Sequence, residues 1–161
     1  MSFRMGIGLI ALLGFALTAQ AAAGTFFRLE IGSPIAAGTD MKVKNLKKAV
    51  LVVRPRLCED EASVRITGTA EGVVNGERQS VALQLVALPA AGVHAVQQQW
   101  PDSGQWVVHL TATCPATRAI TSAIVPITKS GFLRDKTEIL PAAATRAQIE
   151  AALAAHRRSQ S

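Results

Sequence analysis

Ser63-Val64-Arg65-Ile66-Thr67-Gly68-Thr69-Ala70-Glu71-Gly72-Val73-Val74, then Asn75-Gly76, then Glu77-Arg78-Gln79-Ser80-Val81-Ala82-Leu83-Gln84-Leu85-Val86-Ala87-Leu88 is the stretch that decides the fold class. Asn-Gly is the dipeptide that best tolerates the two positive φ angles of a type I′ turn, so the flanking runs read as a hairpin. The turn sets the register. It places Val64 opposite Ala87, Ile66 opposite Leu85, Gly68 opposite Leu83 and Ala70 opposite Val81. On the other face Arg65, Thr67, Thr69 and Glu71 meet Val86, Gln84, Ala82 and Ser80. One face is apolar and the other largely polar, as a sheet with one buried face requires.

Downstream the same period of two continues. Val93 to Trp100, a turn over Pro101-Asp102-Ser103-Gly104-Gln105 and Trp106 to Cys114 read as a second hairpin. Trp106, Val108, Leu110, Ala112 and Cys114 share one face of its return strand, and Val107, His109, Thr111 and Thr113 the other. Ala119 to Ile127 reads as a last strand before the turn at Lys129-Ser130-Gly131. Upstream, Phe27, Leu29 and Ile31 alternate with Phe26, Arg28 and Glu30 until Gly32-Ser33-Pro34, and the apolar run Ala49 to Val53 is a candidate central strand stopped by Arg54-Pro55. Between them Lys42, Lys44, Lys47 and Lys48 suit an edge strand or loop, where lysines discourage edge-to-edge pairing. At the far end Thr145-Arg146-Ala147-Gln148 matches a capping box, followed by Ile149 and Leu153 on a narrow Ala-rich stripe. It predicts a short helix, weakly packed or frayed, with His156 in the frayed part.

About seven to eight strands with turns at this spacing predict an all-β fold: an immunoglobulin-like antiparallel β-sandwich with a short C-terminal helix. The division expected is a signal peptide over 1–23, a β-sandwich domain over 24–135 and a C-terminal tail with the helix over 136–161. Arg4 followed by the apolar stretch Met5 to Leu17 and the small residues Ala19, Ala21 and Ala23 has the pattern of a cleavable export signal. That stretch is short for a ~30 Å hydrocarbon core, so no stable membrane anchor is expected after cleavage.

The formal charge of +6 falls by one when Arg4 is removed with the signal. With no Tyr and 4% aromatic residues, no stacking platform for bases is visible, and no nucleic-acid partner is expected. The two cysteines, Cys58 and Cys114, make an even pair that in an exported chain reads as a disulfide; two separate buried thiols are the rival. Closing that loop would add about 4 kcal/mol in the chain-entropy model.

The chain has no G-x-S-x-G, H-E-x-x-H, C-x-x-C, phosphate-loop or calcium-loop pattern. The expectation is a non-enzyme without catalytic residues or cofactors. His94 and His109 lie on the two arms of the second hairpin. A five-residue connection sets His109 opposite Gln97 and puts the rings on opposite faces; a connection one residue shorter makes them diagonal neighbours at about 7–8 Å. Glu59-Asp60-Glu61 reads as a solvated turn, with calcium as the rival since hard cations want clustered carboxylates.

Gly92-Val93-His94-Ala95-Val96, a turn, then Gly104-Gln105-Trp106-Val107-Val108 resembles the G-x-Y-x-A … G-x-W-x-V hairpin of exported immunoglobulin-like domains of the YtkA-like and FixH-like type, with His94 where those domains carry Tyr. The resemblance implies a sandwich, and related sandwiches handle copper. The reading expected is a periplasmic or secreted accessory module that binds another envelope or extracellular protein through a sheet edge or its loops. The alternative is a periplasmic copper-handling domain using His94 or His109.

Overall fold

The computed structural model describes residues 26–34 and 48–159. The expected signal segment and Lys42, Lys44 and Lys47 lie outside the described residues. Among the described residues ten strands pair antiparallel throughout: β1 (Arg28–Gly32), β2 (Ala49–Arg56), β3 (Arg65–Val74), β4 (Glu77–Ala82), β5 (Leu85–Ala87), β6 (His94–Gln97), β7 (Gln105–Thr113), β8 (Ile120–Thr128), β9 (Gly131–Phe132) and β10 (Glu138–Leu140). They form one sheet in the order β1-β2-β6-β5 and another in the order β10-β8-β7-β3-β4, with β9 paired to β8. β1, β2, β6 and β5 thereby take the places of strands A, B, E and D of an immunoglobulin sandwich, and β4, β3, β7 and β8 those of C′, C, F and G. The described residues form an all-β sandwich with one α-helix, α1 (Arg146–Arg158), after the last strand.

The first hairpin forms around Asn75 at φ 50° and Gly76 at φ 85°, with Ala70 opposite Val81 and Glu71 opposite Ser80, as the turn chemistry dictates. Past Leu83 the expected pairing ends. Leu85 lies opposite Val96 and Ala87 opposite His94, because the chain crosses to the other sheet at Gln84. Alternation cannot reveal that crossing. Val81, Leu83 and Leu85 all pack on the same core whichever sheet carries them, so the inward period of two runs on unbroken. This crossing divides one expected strand into two. The chain after β8 adds the short β9 and β10 to the same edge, so the sandwich carries more strands than the turn spacing implies.

The second hairpin does not form. β6 pairs with β2 and β5, whereas β7 pairs with β3 and β8 in the facing sheet. Residues 98–104 therefore cross between sheets and do not turn back within one. His109 stands opposite Thr69 and Ile124, not Gln97, which faces Ala49. The faces of β7 are nevertheless as expected: Trp106, Val108, Leu110, Ala112 and Cys114 all belong to the core. β2 also runs on through Arg54-Pro55 to Arg56. Its ladder with β6 ends at Val53, so Pro55, opposite Leu29 of β1, is not asked for a hydrogen bond on the β6 side.

Leu29, Leu51, Val53 and Val96 of one sheet meet Ala70, Trp106, Val108, Leu110 and Val125 of the other. Gly72 stands directly under Trp106, where a Cβ would collide with the indole. α1 begins with the expected capping box between Thr145 and Gln148. It does not fray: Ala152 and Leu153 close over Val107 and Ile124 on the outer face of the larger sheet, and His156 is 4% exposed. Stability here comes from tertiary packing of an Ala-rich stripe that is too weak to hold a helix by itself.

Candidate functional site

Cys58 follows β2 and Cys114 follows β7, and they form a disulfide with a Cα–Cα distance of 5.8 Å. It joins the B- and F-equivalent strands at one end of the sandwich. Glu59-Asp60-Glu61 lies beside it, and two of its three carboxylates are engaged locally. Asp60 accepts from Ala62 N–H at 3.0 Å, capping a 3-10 turn over Glu61–Ser63, and Glu61 lies 3.8 Å from Arg56. His94 sits in the smaller sheet with Nδ1 3.1 Å from the Gly92 carbonyl. His109 sits in the larger one. Among the described residues no group of three or more His, Cys, Asp or Glu side chains is placed to hold a metal ion.

His109 belongs to a polar line on the outer face of the larger sheet. Its Nε2 is 3.2 Å from Thr111 Oγ1, which lies 3.5 Å from Ser122 Oγ, and Ser122 Oγ accepts from Ala144 N–H at 3.0 Å. Burial of the His109 ring lowers its pKa from the ordinary value of 6.5, and the charge of Glu71 opposes that shift only in part. A hydroxyl beside a neutral imidazole is half of a nucleophile–base device. β7 is paired on both sides along this stretch, so its backbone N–H groups are engaged in the ladders and offer no oxyanion donors.

Next to it Arg78 ties the sheet to the helix. Its guanidinium meets Glu71 at 2.9 Å and Glu150 of α1 at 2.8 Å. Burial works to raise the pKa of Glu71, but hydrogen bonds from Thr69, Ser80 and Arg78 outweigh it and the net shift is downward. The hydrogen bond to Glu150 is the largest influence holding Arg78 protonated. This cluster is a clasp for α1, with one guanidinium shared between two carboxylates.

The opposite end of the sandwich from the disulfide carries a cleft of about 750 Å³. Trp100 and Trp106 line it, their ring centroids 6.3 Å apart. The 98–105 connection, the turn after β8 and the last turn of α1 form its walls. Trp106 Nε1 donates to the Ser103 carbonyl at 2.9 Å, and Gln98 Nε2 donates to Asp102 Oδ1 at 2.6 Å, which stiffens the connection. No family model, curated protein or solved structure matches this chain. The site therefore has to be read from its own chemistry.

His156 contributes to the cleft wall. Its Nε2 lies 2.9 Å from the Ile127 carbonyl. A carbonyl can only accept, so Nε2 carries the proton and donates. Nδ1 is buried and has no hydrogen-bond partner among the described residues. Periodicity places Trp100 and Trp106 on strands and His156 on a tail, and it does not bring them together. A compositional sign exists all the same: the chain's two tryptophans, in a sequence without tyrosine, flank the single Pro101–Gln105 connection.

Proposed function

We propose that this chain is an exported, non-enzymatic binding module that engages another protein of the envelope or extracellular space through the loop end of its sandwich. The observation that carries the reading is the convergence of separate chain segments on one tryptophan-lined cleft at that end. Loops clustered at the end of a sandwich, held by a rigid scaffold, are a recurrent recognition surface. The disulfide and the absence, among the described residues, of any helix long and apolar enough to cross a membrane fit a periplasmic or extracellular setting. The export pattern before Gly24 supports the same setting.

Site-specific photo-crosslinking in the native producing cells tests this. A photoreactive residue at Ser130, on the cleft rim, is expected to trap a discrete protein partner, while one at Thr117, in the β7–β8 connection at the disulfide end, traps none. Equal trapping at both positions, or none at Ser130, would overturn the reading.

A further inference from the structure

We infer that two copies of this chain pair through the edge of the larger sheet, β4 against β4, antiparallel about a two-fold axis at Ser80. β4 ends that sheet, with β3 on one side and no strand on the other among the described residues. The other described edges are shorter or more heavily charged. β5 and β10 have three residues each, and the five-residue β1 exposes Arg28 and Glu30. β4 has six residues, no proline and an unshifted ladder with β3, and its charges are confined to Glu77 and Arg78 at its start. The usual devices that blunt an edge are missing from the rest of it.

Leu83 N–H donates to the Gly68 carbonyl at 3.0 Å, so Leu83, Val81, Gln79 and Glu77 make the hydrogen-bonded pairs with β3. The N–H and C=O groups of Arg78, Ser80, Ala82 and Gln84 consequently turn away from β3. At Gln84 both are taken by the side-chain amide of Gln99. Those of Arg78, Ser80 and Ala82 face the open edge, where all three residues are exposed.

This row is its own complement. With Ser80 opposite Ser80 of a second copy, Arg78 faces Ala82 and Ala82 faces Arg78, and each pair exchanges two backbone hydrogen bonds. The intervening pairs set Gln79 against Val81 and Glu77 against Leu83, so no like charges meet. Arg78 is already drawn to Glu71 and Glu150 of its own copy. The pairing also ends where it should: Gln84 would face Gly76 of the second copy, a turn residue, and Gln99 already fills that place. Any extended segment would find the same backbone groups, but this edge supplies one matched in charge and length. The two loop ends then lie at opposite poles, so the inference is independent of the reading of the loop end as a recognition surface.

The protein as its producing cells make it should rise in analytical ultracentrifugation from about one to about two chain masses between about 5 and about 500 μM, as a small reversible interface does. Ser80→Lys opposes two ammonium groups across the axis and should weaken association about fivefold or more, with the tryptophan emission of the folded monomer unchanged. In Ser80→Cys the axis brings the two substituted positions to a Cα–Cα distance of about 5.5 Å, within disulfide range, so mild oxidation should give a covalent dimer. Glu77→Cys, about 20 Å from its equivalent, should not link. A monomer throughout that range, a dimer indifferent to Ser80→Lys, or Glu77→Cys linking as readily as Ser80→Cys overturns the inference. Where Ser80→Lys does not fold, the two cysteine variants decide it. Ser80→Cys trapping a different protein in place of its own copy also overturns it, and leaves the loop-end reading to the Ser130 crosslink.

Discussion

The side-chain amide of Gln99 closes on the backbone of Gln84 from both sides: Oε1 accepts from its N–H at 3.0 Å and Nε2 donates to its C=O at 3.0 Å. Gln84 is where the chain leaves β4 for β5 and the other sheet, so its peptide groups fall outside both ladders. An amide side chain supplies what a neighbouring strand would have supplied. Gln99→Ala should cost about 1 kcal/mol, a net hydrogen-bond loss at an exposed site that water partly restores. Hydrogen exchange at the Gln84 amide should quicken more than at Ala70 or Val108. Unchanged exchange at Gln84 would show that the crossing holds without the clasp.

Removing the disulfide acts mainly on the unfolded chain. Cys58 and Cys114 are 56 residues apart in sequence, and the double change Cys58→Ala, Cys114→Ala should lower stability by about 4 kcal/mol in the chain-entropy model. Urea unfolding of the oxidised protein and the double variant gives the difference. Because the bond sits at the end opposite the cleft, tryptophan emission of the folded variant should match that of the parent.

His156 anchors the end of α1. His156→Ala removes a buried ring and the bond to the Ile127 carbonyl, for an expected loss of about 2–3 kcal/mol. It also opens the cleft wall, so the tryptophan emission of the folded variant should shift to the red. Protection of α1 amides should fall first, ahead of the sheets. Equal loss of protection in helix and sheets would contradict a local anchoring role.

Acid should weaken the fold in two steps. The His109 pKa is lowered by burial below its ordinary 6.5. Its contribution is thus present above that value and is lost as pH falls from there through the folded value, because the unfolded chain takes up the proton first. Glu71, hydrogen-bonded by Thr69, Ser80 and Arg78, is held below its ordinary 4.5. It adds a second loss below that value by the same sign. Thermal unfolding followed from pH 7 downward should show both, with His109→Gln removing the upper step and Glu71→Gln the lower.

Side-chain alternation told which residues of each strand face inward, and it did so correctly for Leu29, Ile31, Val108, Leu110 and Ala112. It could not tell which strand lies beside which. Val93 to Trp100 and Trp106 to Cys114 fit a hairpin and a sheet-to-sheet crossover equally well, because both sheets face one core and make the same demand on alternate residues. The cleft was correspondingly hidden. Its tryptophans come from the two ends of that crossover, and its histidine comes from a helix whose stripe of Ala, Ile and Leu gave little warning that it would dock.

What the amino-acid sequence determined by itself was local: the Asn75-Gly76 turn and its register out to Gly68 and Leu83, the faces of the strands and the capping box at Thr145. Each of these depends on groups a few residues apart. Only the tertiary structure decided where the chain crosses at Gln84 and between Gln98 and Gly104, that α1 docks over Val107 and Ile124, and hence that Trp100, Trp106 and His156 share one cleft. Those outcomes turn on which of several equally apolar surfaces fit together, and packing resolves that choice only when all the surfaces are present at once.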